Sequence, residues 1–121
     1  MMVLTILLSS CTGRQNDSLI GRWKMTDMSG RGLGSEGREV REEIVSGEVS
    51  VEYNFFRDGR VSVTVTDRFG TNVHWNDWSR ADGIIWVADV NYYYHLEASQ
   101  LTLTRSMWGQ HDVNWHFQRL N

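Results

Sequence analysis

Two alternating runs joined by an Asp-Gly pair constrain this chain more than any other feature of its sequence. Apolar side chains occupy every second position of both runs, at Val49, Val51, Tyr53 and Phe55, and then at Val61, Val63 and Val65. A period of two places such side chains on one face of a β-strand. The pair Asp58-Gly59 between the runs favours the positive φ angles of a tight hairpin turn. The sequence therefore predicts an antiparallel hairpin of residues 49–56 and 60–67.

Another alternating run marks the start of the folded domain. Residues 19–27 read Leu-Ile-Gly-Arg-Trp-Lys-Met-Thr-Asp. Gly21 permits a tight turn or a close backbone approach, and Trp23 and Met25 then share one face of a strand. Two interpretations of Trp23 stay open. It seals one end of a barrel or sandwich, or it is an ordinary core residue of a first strand.

The segment between these strands is less regular. Residues 29–36 contain three glycines and predict a flexible loop. Residues 38–45 alternate weakly and fit either a strand or a short helix, because they hold the good helix formers Glu39, Arg41, Glu42 and Glu43. We expect a strand here because the neighbouring segments are strands.

The second half of the chain predicts further short strands separated by turns. Alternation slips between Trp75 and Trp78, which predicts a bulge or a strand end at that point. Further strands are predicted at residues 84–90, 91–97, 101–104 and 113–118, with turns at 69–72, 81–83, 98–100 and 109–110. About eight or nine strands and no convincing long helix indicate an all-β antiparallel barrel or sandwich. A closed barrel would also remove edge strands, which matters in a chain without proline.

Composition limits the function classes. The chain has 121 residues, which indicates one domain, and six tryptophans supply a large apolar surface for its core. The net charge of −3 argues against nucleic-acid binding, which needs a basic face. Cys11 is the only cysteine, so no internal disulfide can form.

The N-terminal residues resemble a bacterial lipoprotein signal. Residues 1–10 are apolar and uncharged, like the end of a secretory signal, and are too short to span a bilayer. Leu8-Ser9-Ser10-Cys11 resembles the lipobox, in which the cysteine becomes lipidated after cleavage on its N-terminal side. Because no basic residue precedes this segment, we expect the true start codon to lie upstream. The alternative is a buried free cysteine near a frayed terminus.

The residues after Cys11 predict how such an anchor would be used. Residues 11–18 would form the lipidated cysteine and a polar, flexible tether, and residues 19–121 the folded domain. The residue after the cysteine is Thr12 and not an aspartate, so by analogy with enteric sorting we expect the protein to lie in the outer membrane. The resulting expectation is a lipid-anchored protein of the cell envelope that faces the periplasm.

The whole pattern resembles the lipocalin-like domain lipoproteins of Gram-negative bacteria. The resemblance rests on the lipobox, on Leu-Ile-Gly-Arg-Trp-Lys at 19–24, on Tyr-Asn-Phe-Phe-Arg-Asp-Gly-Arg-Val at 53–61, on Leu-Thr-Leu-Thr at 101–104 and on Phe-Gln-Arg-Leu at 117–120. It implies an eight-stranded up-and-down lipocalin-like barrel. Gly21-x-Trp23 is similar to the Gly-x-Trp motif of lipocalins, whose Trp plugs the closed end of the barrel. The resemblance implies that Arg119 packs across Trp23 in a cation–π contact.

The sequence contains no pattern typical of a metal site or an active site. His74, His95, His111 and His116 are possible ligands, but a metal site needs three or four that converge. The acidic residues considered for acid–base chemistry show no signature spacing; they are Glu52, Asp67, Asp77, Asp82, Asp89 and Glu97. We therefore expect no metal, no cofactor and no enzymatic activity.

Aromatic residues of the second half are the candidate ligand-binding residues. They are Trp75, Trp78, Trp86, Tyr92, Tyr94, Trp108 and Trp115. They either form the core of the barrel or line a shallow pocket at its mouth, where they would bind an apolar or amphipathic ligand by stacking. The first function hypothesis is therefore small-ligand binding. The alternative is an envelope protein-interaction or inhibitor domain, which an exposed aromatic patch would favour.

Overall fold

Eight antiparallel strands close into a barrel in the computed structural model, which describes residues 19–106 and 111–120. The strands are β1 (Gly21–Ser29), β2 (Ser50–Phe55), β3 (Arg60–Asp67), β4 (Gly70–Ala81), β5 (Ile84–Val87), β6 (Val90–Glu97), β7 (Gln100–Ser106) and β8 (Asp112–Arg119). Each strand pairs with the next, and β8 returns to pair with β1. The predicted all-β, eight-stranded up-and-down barrel is confirmed. The predictions for residues 1–18 lie outside the described residues.

The predicted central hairpin is β2–β3. Phe55 lies opposite Val61, and Val51 lies opposite Val65, so both alternating apolar sets share the inner face. The largest fully buried side chains include Trp23, Phe55 and Phe117. All three lie where β1 begins and where β2 and β8 end, which we call the Trp23 end. The core is therefore densest at this end of the barrel.

A helix covers part of the other end, which we call the helix end. A short 3₁₀ helix, Arg31–Leu33, leads into α1 (Gly34–Ser46). The predicted loop at 29–36 and the predicted strand at 38–45 are therefore wrong. The helix formers dominate this segment, and Gly47 ends α1 in a left-handed conformation with φ of 86°. Ile44 is the residue of α1 that becomes buried.

The helix is held against the barrel by one apolar anchor and one polar contact. Ile44 belongs to the core cluster, and Arg41 Nε donates a hydrogen bond of 2.7 Å to Asp27 Oδ1 on β1. This bond from Arg41 is the main reason that the pKa of Asp27 falls below its usual value. Within the described part of the chain, no helix is long and apolar enough to cross a membrane.

Strands β4 to β6 differ from their predicted boundaries. β4 runs without interruption for 12 residues, so the bulge or strand end predicted between Trp75 and Trp78 is wrong. Residues 70–77 pair with β3, whereas residues 78–81 pair with β5. The predicted strand at 84–90 is also wrong, because the chain turns at Ala88-Asp89 between β5 and β6. Apolar and polar residues do not alternate regularly in β4, because residues 70–75 are exposed and contribute no side chain to the core.

Candidate functional site

A cleft opens between β6 and β7 at the helix end of the barrel. The ladder between these strands ends at Tyr93 opposite Thr104, although both strands continue. Tyr92 is instead held by pairing with Ile85 of β5. The separation leaves a cleft of about 300 Å³, lined by Ile84, Asn91, Tyr92, Tyr93, Thr104, Arg105 and Ser106.

Aromatic rings form the inner wall of this cleft. Strand alternation turns Tyr92 toward the barrel interior, on the same face as Tyr94 and Leu103. The ring of Tyr92 meets the ring of Trp115 edge-on, with centroids 5.5 Å apart and planes at 90°. Trp115 is half-buried and packs against the core. The cleft therefore leads from solvent to an aromatic surface that the core holds in place.

Arg105 supplies a positive charge beside that aromatic wall. It lies two residues after the buried Leu103 on β7, and therefore on the same face of the strand. Burial raises the pKa of Tyr92, and the charge of Arg105 opposes this shift. Tyr92 is thus a neutral hydroxyl at neutral pH. In the part of the chain that the structure describes, no carboxylate forms an ion pair with Arg105.

The structure divides the predicted aromatic set into three groups. Tyr92 lines the cleft and its ring contacts Trp115 behind it, whereas Trp78 and Tyr94 pack against the core without lining the cleft. Trp78 also donates from Nε1 to the carbonyl oxygen of Phe56, at 2.9 Å. Trp75 and Trp86 lie on the outer face of the barrel and do not line the cleft. Trp108 lies outside the described residues.

Trp23 and Arg119 lie together at the opposite end of the barrel. The two residues are register partners across the β1–β8 closure. The Arg119 guanidinium carbon lies 4.3 Å from the centroid of the Trp23 ring, which is the contact that the resemblance implies. Trp23 Nε1 donates to the carbonyl oxygen of Leu19 at 2.9 Å, and Arg119 Nη1 donates to that of Ile20 at 3.1 Å. This end is a packed plug rather than an entrance.

The histidines are spread over separate parts of the barrel. His74 is exposed on β4, His95 contacts Glu97 at 3.4 Å, and His111 precedes β8. Within residues 19–106 and 111–120, no three metal-ligating side chains come together. The acidic residues are dispersed as well. Glu52, for example, forms an ion pair of 2.7 Å with Arg22 on the outer face.

Sequence reasoning missed two features. The first is Arg105. Residues 101, 103 and 105 share the inward face of one strand, so a charged residue follows two leucines there, and this pattern could have identified it. The second is a contact of 2.8 Å between Ser29 Oγ and His116 Nε2 on the outer face. The other ring nitrogen of His116 faces the hydroxyl of Thr102 at 3.5 Å rather than a carboxylate. This network ties β1, β7 and β8 together. Among the described residues, no carboxylate hydrogen-bonds to His116, although Asp27 is its register partner on β1.

Comparison with known proteins identifies the fold. No family model matches the chain, and no curated protein matches it either. Among solved structures, the chain is similar to Echinococcus granulosus fatty-acid-binding protein 1, with a TM-score of 0.53 and 12% identity over 87% of this chain and 99% of that one. It is also similar to the siderocalin Ex-FABP, with a TM-score of 0.53 and 14% identity over 84% of this chain and 74% of that one. Together with the strand topology, these likenesses show that the chain folds as an all-β, lipocalin-like barrel.

Proposed function

We propose that this protein is a lipid-anchored, lipocalin-like binding protein of the cell envelope that holds one small amphipathic molecule in the β6–β7 cleft. The observation that carries the proposal is the cleft itself, where Tyr92 and the cation of Arg105, which pairs with no carboxylate among residues 19–106 and 111–120, face the same space. One wall is aromatic and the other is positively charged. A molecule with an apolar body and an anionic group matches both.

The size of the cleft restricts the ligand. Its volume of about 300 Å³ lies at the lower end of the range for small-molecule sites, roughly 300–1,000 Å³. Trp23, Phe55 and Phe117 fill the barrel at the Trp23 end. The ligand therefore enters between β6 and β7, with its apolar part on Tyr92 and its anionic group at Arg105. The structural neighbours support the proposal because a fatty-acid-binding protein and a siderocalin with dual ligand specificities share this fold.

Ligand retention is the first test of the proposal. The full chain is purified from cells without refolding, and its native mass spectrum is recorded. A small molecule that stays bound in the native spectrum and is lost on denaturation supports the proposal and gives the ligand mass. An apo protein that also fails to bind the fluorescent anion 8-anilinonaphthalene-1-sulfonate contradicts it.

Substitution of Arg105 tests where the ligand binds. Arg105→Gln removes the charge while keeping most of the side chain, so we expect the dissociation constant for 8-anilinonaphthalene-1-sulfonate to rise about tenfold, as for loss of one charge-assisted contact. Arg105→Lys is the matched control and keeps most of the affinity. Equal binding by the wild type and Arg105→Gln would move the site elsewhere.

Membrane anchoring has a separate test. Cys11→Ser removes the proposed acylation site, so we expect the protein to move from the membrane fraction to the soluble fraction of fractionated cells. Thr12→Ser is the control and should remain with the membranes. If the Cys11→Ser variant still sediments with the membranes, the lipoprotein part of the proposal fails while the ligand-binding part stands.

A second candidate function is protein interaction through the outer face. Trp75 is 54% exposed and stacks on Phe56 with ring centroids 5.5 Å apart, and Arg60 lies over both rings. Exposed aromatic clusters of this kind mark interaction surfaces in soluble proteins.

A further inference from the structure

The barrel leaves part of one strand edge open. β4 is longer than its neighbour β5, which covers only residues 78–81 of β4. The carbonyl oxygen of Asp77 accepts a hydrogen bond of 2.9 Å from the N–H of Ala88, on the side away from β3. Successive residues of an antiparallel strand direct their backbone groups to alternate sides. The N–H and C=O groups of Thr71, Val73 and Trp75, six groups in all, therefore also point away from β3. Among the described residues, nothing hydrogen-bonds to these six backbone groups.

This open edge carries none of the usual protection. Residues 70–76 read Gly-Thr-Asn-Val-His-Trp-Asn, without a proline, lysine, arginine or acidic residue. The β3–β4 ladder keeps one register throughout, so no bulge turns the edge away. Native edge strands are normally blocked by such charges, prolines or bulges, because an open edge pairs readily with another strand.

A groove runs beside the open edge. It has a volume of about 400 Å³ and is lined by Arg60, Trp75, Asn76, Asp77, Ala88 and Asp89. The β5–β6 turn closes it where Asp77 meets Ala88. Its charged lining residues are Asp77, Asp89 and Arg60, so the two carboxylates outnumber the one cation.

We propose that the edge pairs with the β4 edge of a second copy of this chain, antiparallel, around a two-fold axis at Val73. This register places Val73 opposite the same residue of the second copy and Thr71 opposite the second copy's Trp75. All six open backbone groups of each chain then form hydrogen bonds in one ladder. Pairing centred on Asn72 or His74 would pair only four of the six open groups of each chain with one another, because Trp75 or Thr71 would then lie opposite a residue outside the open set.

Side chains and charges also favour a second copy as the occupant. On the outer face, Val73 meets Val73 and each Trp75 covers a Thr71, while on the inner face Asn72 lies beside the second copy's His74. The β3–β4 turn of the second copy, with Arg68 and Phe69, then reaches the closed end of the groove. Arg68 would face the acidic Asp77 and Asp89, and Phe69, which is 85% exposed in one chain, would be covered. The two-fold axis makes each of these contacts twice.

Sedimentation velocity over a range of protein concentrations tests the pairing. The full chain is used with Cys11→Ser, so that no acyl chain is attached. We expect a concentration-dependent dimer. Val73→Lys opposes two like charges at the axis and should raise the dimer dissociation constant at least tenfold, while the matched control Val73→Thr should remain dimeric. A mixture of Val73→Lys with Val73→Glu should restore a mixed dimer, because the opposed charges then attract.

A cross-linking measurement keeps the proposal testable if a variant folds poorly. Residues directly opposite in a hydrogen-bonded pair have Cα atoms about 5.5 Å apart, within the range for a disulfide. Val73→Cys in the Cys11→Ser chain should therefore give a disulfide-linked dimer, whereas Gln118→Cys, which is exposed on β8, should not. A wild type that stays monomeric at every concentration, or a dimer that Val73→Lys leaves unchanged, would overturn the pairing. Neither result depends on the ligand or the membrane anchor.

Discussion

Trp23 is held by contacts that come from both ends of the chain. Its ring receives the guanidinium of Arg119, its Nε1 donates to Leu19, and its side chain is fully buried. A buried indole needs a partner for its N–H group, and the preceding turn supplies one. The contact therefore joins the first and last strands at the point where the barrel closes.

Replacing Arg119 tests this contact. Arg119→Met keeps much of the apolar stem but removes the cation–π interaction and the hydrogen bond to Ile20, so we expect the free energy of unfolding to fall by about 1–3 kcal/mol. Urea denaturation measures the change. Arg119→Lys keeps the charge and should recover part of the loss. A variant Arg119→Met as stable as the wild type would show that the plug depends on burial alone.

At the scale of elements, the connection from β1 to α1 passes unusually close to β8. A Cβ atom added to Gly30 would lie 2.2 Å from the carbonyl oxygen of Asp112, and one added to Gly32 would lie 2.7 Å from that of His111. Gly30 also has φ of 111°, which other residues rarely adopt. These glycines therefore let the chain lie against β8 before α1 begins.

Alanine substitutions separate backbone strain from this steric contact. Gly34 also has a positive φ, but a Cβ there would meet nothing within 4 Å. Both Gly30→Ala and Gly34→Ala carry a backbone cost of about 1–3 kcal/mol. We expect Gly30→Ala to lose a further 1–3 kcal/mol or so, as overpacking usually does. Thermal unfolding of both variants measures the difference, and equal melting temperatures would contradict the close packing on β8.

At the scale of the whole molecule, Tyr53 links the pH to the stability of the barrel. It packs against Phe117 and Phe55, with ring centroids 5.0 and 6.1 Å away. Burial raises the pKa of Tyr53 to about 12. An unfolded tyrosine has a pKa of about 10, so the folded state keeps the proton at a pH where the unfolded state has lost it.

Alkaline unfolding tests this linkage. The contribution of Tyr53 to stability is fully present below about pH 10 and falls as the pH rises toward 12, by about 1.4 kcal/mol per pH unit. We expect Tyr53 to account for a loss of about 2–3 kcal/mol in the free energy of unfolding across that window. Tyr53→Phe should abolish this decrease in the free energy of unfolding. Tyr93→Phe, at an exposed position, should show the same decrease as the wild type. Denaturant titrations at several pH values make the comparison.

The candidate site was only partly predictable from the sequence. Tyr92 and Trp115 belonged to the predicted aromatic set, and the structure brings them together at 5.5 Å. Trp75 and Trp86 belonged to the same set, but they lie outside the barrel. Whether an aromatic residue in a strand is buried or exposed can be predicted only when the inward face of that strand is known. Arg105 was not predicted because its role depends on where the β6–β7 ladder ends.

The sequence by itself determined the all-β class and the β2–β3 hairpin, because these follow from side-chain alternation and turn chemistry within a few residues. The contact between Trp23 and Arg119 joins the two ends of the chain and was predicted only from the resemblance to lipocalins. Only the tertiary structure decided the course of α1, the length of β4 and the opening beside Tyr92. Each of these depends on where a neighbouring strand or helix stops. The segment at 38–45 became a helix because it packs Ile44 on the barrel rather than pairing with a strand. Likewise, residues 70–76 are an open edge because β5 is too short to cover them.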